Sequence, residues 1–362
     1  MTIPEAEQVP TSRKKRGKWG TRLNQIPYDP EFTPGARNAV NVCLRVQPNE
    51  KVCVITDEAT LAIAAAIVHE LETMGAPYRS WVLEDIAERP LTGLPQSILD
   101  DLEKSQVSIF AVQAQKDELK SRMQMTEVVN RRKIRHAHMV NINRQIMLEG
   151  MRADFHKVDR LSQKVVDMVR KASTIRAKTS AGTDLTADLN PNYRWLKTSG
   201  IISPEKWGNL PGGEIFTTPG EVNGTFVIDG VVGDYLCAKF GNLKETPLTI
   251  HMKNNRLTEA HSDNRELQED FWRYTHTDEN SDRVGELAFG TNLGLNEMIG
   301  ILLQDEKFPG VHIAFGDPYG SQTHADWKSR THVDVLTRNC DVWIDQDKVI
   351  SKGRYQLNHL GF

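Results

Sequence analysis

Glu214, Glu286, His312, Tyr319, His332 and Asp334 sit at the edges of apolar runs, where a buried strand does not normally want polar side chains. Glu214 follows Asn209-Leu-Pro-Gly-Gly and precedes Ile-Phe-Thr-Thr-Pro219. Glu286 lies in Arg283-Val-Gly-Glu-Leu-Ala-Phe-Gly290. His312 opens the run His-Ile-Ala-Phe-Gly316, Tyr319 follows in a turn-like Gly-Asp-Pro-Tyr-Gly, and Thr331-His332-Val-Asp334 completes the set. Charge in such surroundings must be compensated, and a metal ion is the simplest candidate.

His332 and Asp334 are two apart, so on a strand an imidazole and a carboxylate reach out from one face. Without a metal, Arg283 is the obvious partner for Glu286, and Glu214 is a solvated hairpin residue. The glycines before Glu214 allow a sharp turn and a close backbone approach. Nitrogen and oxygen donors without thiolate suit Zn, Co, Mn, Mg or Fe(II). Three carboxylates can hold two divalent ions if Glu286 bridges them, and such a pair activates water and clamps a tetrahedral intermediate. A lone His-His-carboxylate site with open positions suits Fe(II) and oxygen instead. The general base is not fixed, with Glu214 or Tyr319 as the candidates. His324 and Asp326 read as surface-loop residues, His136 and His138 as structural, Asp184 as a turn former and Glu297 as a helix-surface residue.

These residues need rigid elements to hold them. The first half alternates strand and helix patterns: strands at 51–56, 78–83, 107–112 and 138–142, helices at 59–74, 94–104 and 117–132. That alternation predicts βαβ units and a mainly parallel sheet. The turn after the first strand is Asp57-Glu-Ala, with no glycine-rich loop, which excludes a dinucleotide fold and a P-loop. A helix is expected over 158–172. Beyond it the texture changes to short β runs with Gly and Asn turns: 174–179 with 184–189, 224–229 with 231 onward, 248–252 with 256–259, and 341–344 with 348–351. Two further helices are expected over 264–274 and 292–303. The chain therefore divides into a mobile basic tail (1–30), an α/β domain (31–172) and a β-rich α+β domain (173–362) that carries the metal ligands.

Composition excludes several classes. The 362 residues carry a net charge of −3, so no nucleic-acid partner is indicated. No apolar run is long enough to span a membrane, and no apolar stretch of signal-peptide type follows the basic run Arg13–Lys18. Cys43, Cys53, Cys237 and Cys340 are scattered without CxxC spacing and read as reduced thiols of a cytosolic protein.

Taken together, Asn-Leu-Pro-Gly-Gly-Glu214, Gly-Glu286-Leu-Ala, His312-Ile-Ala-Phe-Gly with Tyr319, His332-Val-Asp334 and the Gly182-Thr-Asp-Leu185 turn resemble the thermophilic aminopeptidase T/S type, peptidase family M29. The resemblance covers roughly residues 170–350. It implies that Glu214, Glu286, His312, Tyr319, His332 and Asp334 fall at the metal-site positions of a metallo-aminopeptidase. It further implies a co-catalytic pair of divalent ions, a peptide or small-amide substrate, a cytoplasmic location and a homodimer. The same fold carries an oxygenase branch, the 2,5-dihydroxypyridine dioxygenases, with one Fe(II). By this resemblance that branch keeps the His-x-Asp pair but has histidine where this chain has Glu286, and it lacks the residues at Glu214 and His312. The expectation is therefore a hydrolase, with a mononuclear Fe(II) ring-cleaving dioxygenase as the alternative.

Overall fold

The computed structural model describes residues 23–362; the Arg13–Lys18 run lies outside the described residues. The first layer is a parallel sheet. Its strands run in the order Tyr78–Val82, Val52–Thr56, Val107–Val112 and Arg135–Val140, and Gly208–Asn209 adds a fifth at the edge. Every residue of Val52–Thr56 and Val107–Val112 is buried, as a sheet covered on both faces requires. The covering helices include Leu61–Met74 and Leu119–Arg132. Gly75 ends the first of these in the left-handed conformation (φ 77°). Asp57, which stands where a dinucleotide fold would need glycine, caps the following turn and pairs with the buried Arg89 at 2.7 Å.

The second half is two antiparallel sheets. One has eight strands, built on the expected hairpins 174–178/184–188, 248–253/256–262 and 341–344/347–351. The other has five, in the order His332–Leu336, Gly310–Gly316, Val284–Gly290, Glu214–Thr217 and Leu196–Lys197. Ile175, Leu185, Phe226 and Ile250 of the first sheet share one core with Leu287, Ile313, Phe315 and Val335 of the second. Helix Phe155–Val169, capped by Asp154, ties the halves together. Its N-terminal Phe155 and Val158 pack in the core of the parallel sheet, and Leu161, Val165 and Val169 pack in the antiparallel core.

Two elements differ from expectation. Residues 292–303 form an extended loop, with helix only at Leu302–Asp305. Asn292 turns inward there, donating to Gly150 O and Gly212 O and accepting from Gly294 N, so it fastens the loop to the site turn. Val231 onward is not a hairpin strand. Val231–Gly233 touches the outer edge of the His332–Leu336 strand through a single bridge, and a helix over Asp234–Phe240 follows. No helix among the described residues is long and apolar enough to cross a membrane.

Candidate metal centre

The site grows out of the pleat of the five-stranded sheet. Glu286, Ala314 and Asp334 lie opposite one another on three adjacent strands. Phe216, Ala288 and His312 form the next such row. Paired residues share a face, so these side chains all leave the sheet on the side away from Leu287, Ile313 and Val335. The alanines leave open space between the charged neighbours. Glu214 begins its strand opposite Gly290. The turn that delivers it is as tight as its glycines suggested: a Cβ on Gly212 would meet Gly200 Cα at 2.3 Å, and Gly213 has φ 123°.

The five expected histidine and carboxylate residues converge. Glu214, Glu286 and His312 form one group, and Glu286, His332 and Asp334 another; within each, the ligand atoms lie within 4.8 Å of one another. His312 Nε2 is 3.0 Å from Glu214 Oε1 and 3.7 Å from Glu286 Oε1. His332 Nε2 is 3.5 Å from Asp334 Oδ1 and 3.8 Å from Glu286 Oε2. Tyr319 stands at the mouth, 39% exposed, its ring centroid 4.6 Å from that of His332. Its backbone is left-handed (φ 51°), a conformation uncommon for a bulky residue.

The neighbours of the cluster sort the alternatives. Arg283 does not pair with Glu286; its guanidinium lies 3.5 Å over the Trp327 ring. Glu214 is buried, not solvated. His324 and Asp326 are exposed, as expected. His136 and His138 are buried with Phe110 and Trp207, and burial pushes the His138 imidazole down to about 3. Two residues escaped sequence reading. Lys307 is fully buried and joins Glu214 Oε2 (2.9 Å) to Glu306. In the sequence it sits in a Gln-Asp-Glu-Lys run that looks like any solvated charge patch. Lys206, in Pro-Glu-Lys-Trp, carried no signal either.

The electrostatics follow from burial against opposite charge. Burial raises the Glu214 carboxyl, but Lys307 and His312 outweigh it and hold it well below the carboxylate range. Burial keeps Glu286 raised. Burial and the repulsion of Glu214 and Asp334 outweigh Lys307 and push Glu306 up to about 8. Burial alone would lower both imidazoles, but the carboxylates around them prevail. Glu214 and Glu286 lift His312 to about 10, and Asp334 and Glu286 lift His332 to about 10.

These residues fit a divalent ion. The donors are oxygen and imidazole nitrogen, the set that hard and borderline ions take. His312 Nε2 is buried and has no aligned hydrogen-bond acceptor despite its short approach to Glu214. His332 holds Asp317 O at 2.9 Å with Nδ1, which orients Nε2 toward the carboxylates in the way that a backbone carbonyl on the far ring nitrogen fixes a metal-binding imidazole. Above the cluster a cleft opens in two arms, with cavities of about 550 and 610 Å³. Tyr319, His332, Asp334, Glu306 and Asn209 line both arms; Glu214 and Glu286 line the second, and His312 lines neither.

Residues 32–292 match the model of the 2,5-dihydroxypyridine 5,6-dioxygenase family, so the chain belongs to that family. A 2,5-dihydroxypyridine 5,6-dioxygenase of Pseudomonas putida is 24% identical over 196 residues, which cover 51% of this chain and 55% of the relative, so the match spans about half of its length. Among solved structures, a 2,5-dihydroxypyridine dioxygenase from Pseudomonas putida superposes with TM-score 0.65 at 16% identity, over 90% of this chain and 96% of the other. Wild-type AmpT from Thermus thermophilus superposes with TM-score 0.66 at 15% identity, over 90% and 99%. At these identities the two structures establish the shared fold alone.

The metallo-aminopeptidase reading is therefore corrected. The family match overturns the hydrolase and protease assignment and favours the oxygenase alternative. The error has a physical source. Oxygen and imidazole donors on adjacent strands serve hydrolytic and oxidative metals alike, so ligand types could not decide the reaction. The matched segment contains Glu214 and Glu286 and ends before His312.

Proposed function

We propose that the protein is a ring-cleaving dioxygenase acting on a hydroxylated pyridine, with one Fe(II) held by Glu286, His332 and Asp334. The observation that carries this reading is the position of that triad: His332 and Asp334 from one strand and Glu286 from the strand beyond Gly310–Gly316, all facing a cleft, in a chain of the dioxygenase family. Fe(II) would supply the open coordination positions at which oxygen chemistry on an aromatic ring proceeds.

The chain's own residues do the rest. Glu286 makes the set one imidazole and two carboxylates, whose charge matches a divalent ion. Glu214, on the same arm of the cleft, is already engaged by Lys307 and by the Thr198 hydroxyl (3.2 Å). His312, which lines neither arm, stands between Glu214 and Glu286 at 3.0 and 3.7 Å and supports both. Leu196, Trp207, Phe216 and Tyr319 line the second arm and would hold a flat ring while keeping water off it. Burial and the Glu286 and Asp334 carboxylates raise the Tyr319 phenol well above its ordinary value. It therefore stays protonated and acts as a hydrogen-bond donor toward a ring oxygen.

The test is oxygen uptake by anaerobically iron-loaded protein given 2,5-dihydroxypyridine and a panel of other hydroxypyridines. Oxygen consumption with loss of the ring absorbance is expected, with about one iron per chain that disappears in Glu286→Ala. Fully iron-loaded protein that consumes no oxygen with any hydroxypyridine would sink the reading.

A further inference from the structure

We infer that Lys206 is the anion anchor of the cleft, and that the substrate is a flat ring bearing a carboxylate which Lys206 receives. This inference rests on the substrate class proposed above and narrows it.

Lys206 lines the second arm of the cleft beside Arg194, Trp207 and Phe216. Its Nζ is buried and has no hydrogen-bond partner. A buried ammonium left unpaired is costly, so its persistence calls for a reason. The carboxylates of the cluster do not supply one. Glu214 is committed to Lys307, Thr198 and His312, and Glu286 lies between His312 and His332. The contact that Lys206 does make is with the Phe216 ring, 5.3 Å from Nζ to the centroid. A cation over an aromatic face is only partly compensated.

The backbone around Lys206 is tied down. Ser203 and Lys206 exchange backbone hydrogen bonds at 3.3 and 3.4 Å. The next residue, Trp207, packs against His138 and His136 at 5.3 and 6.2 Å, and Gly208–Asn209 then joins the parallel sheet. The segment is thus clamped on both sides, with the ammonium held at the cavity wall. Burial pushes the ammonium down to about 8 against the attraction of Glu214 and Glu286, so it is still mostly cationic at neutral pH. The cavity, about 610 Å³, is of the size that takes a small-molecule ligand. A ring seated against Phe216 and Tyr319 would bring an attached carboxylate to Nζ, and a charge-assisted hydrogen bond would complete the missing pair.

The experiment is calorimetric binding under anaerobic conditions to the iron-loaded protein. The probes are 5-hydroxypyridine-2-carboxylate and 3-hydroxypyridine, which lacks the carboxylate. The wild type is expected to prefer the acid by about 10- to 100-fold, the range that a hydrogen bond to a charged group supplies. The preference should vanish in Lys206→Met, persist in Lys206→Arg, and vanish again in Lys206→Gln if the Met variant folds poorly. No preference in the wild type, or a preference surviving in Lys206→Met and Lys206→Gln, overturns the inference. The two readings fail separately. A Lys206-dependent preference without oxygen uptake from any ring defeats the dioxygenase and leaves the anchor. Uptake without the preference does the reverse.

Discussion

At the scale of single residues, Lys307 and the two histidines decide how the charge cluster survives burial. Lys307 sits between Glu214 and Glu306 with no exposure. Lys307→Met leaves the buried Glu214 carboxylate without its ammonium and facing the half-buried Glu306. A loss of about 3–5 kcal/mol is expected, the usual cost of removing one partner from a buried ion pair, and denaturant titration measures it. His312 and His332 are both raised to about 10, so near neutrality each carries a proton in the metal-free protein. A metal bound through His332 Nε2 must displace that proton, and its affinity therefore rises with pH, by up to about tenfold per unit. Calorimetry in buffers of different ionisation heat counts the protons. For the metal-free fold the sign is opposite. A raised imidazole contributes stability that is full below its unfolded value, near 6.5, and is lost as pH rises toward about 10. A metal affinity flat between pH 6 and 9 would contradict this account.

At the scale of elements, the pleat does the aiming and the turns set the reach. The row Glu286–Ala314–Asp334 works because strand pairing makes opposite residues share a face. Gly212 works because Gly200 lies against it. Gly212→Ala would force backbone against backbone and displace Glu214. A destabilisation of about 1–3 kcal/mol or more is expected from such overpacking, visible as a lower melting temperature and a weaker metal affinity together. The segment before His332 is held from outside. Asp278 accepts from Arg330 N at 2.7 Å and from Ser329 Oγ at 3.0 Å. Burial opposes its ionisation, but these donors win and push its carboxyl down to about 2.

At the scale of the molecule, the centre lies on one antiparallel sheet while the cleft above it is walled by both halves of the chain. Arg122, His138 and Asn141 from the parallel half face Tyr319, His332 and Asp334 across the first arm. Gly208–Asn209, which pairs with the parallel sheet, carries the wall of the second. A metal bound there stabilises the fold only in its native form. At a free concentration of one hundred times the dissociation constant, about 2.7 kcal/mol of stabilisation is expected. The melting temperature should rise by several degrees on loading and fall back with chelator. The Glu286→Ala protein should show no such shift.

The amino-acid sequence by itself determined the elements and the ligands. Alternation of β-branched runs with helices marked the parallel sheet, because sheets covered on both faces must be apolar throughout. Glu214, Glu286, His312, His332 and Asp334 stood out because charges beside apolar runs violate burial. The loop over 292–303 and the edge segment after Val231 misled, since apolar spacing alone could not reveal the inward hydrogen bonds of Asn292 or the single bridge to the His332 strand. Tertiary structure decided what the local pattern could not hold. It set which face each ligand takes, paired Lys307 with Glu214, and left the Lys206 ammonium unpaired over Phe216. Those are contacts between residues far apart in the chain, and short-range spacing has no means of encoding them. The reaction class lay beyond ligand type as well, because the same donors serve water and oxygen chemistry. The family match across residues 32–292 separated the two.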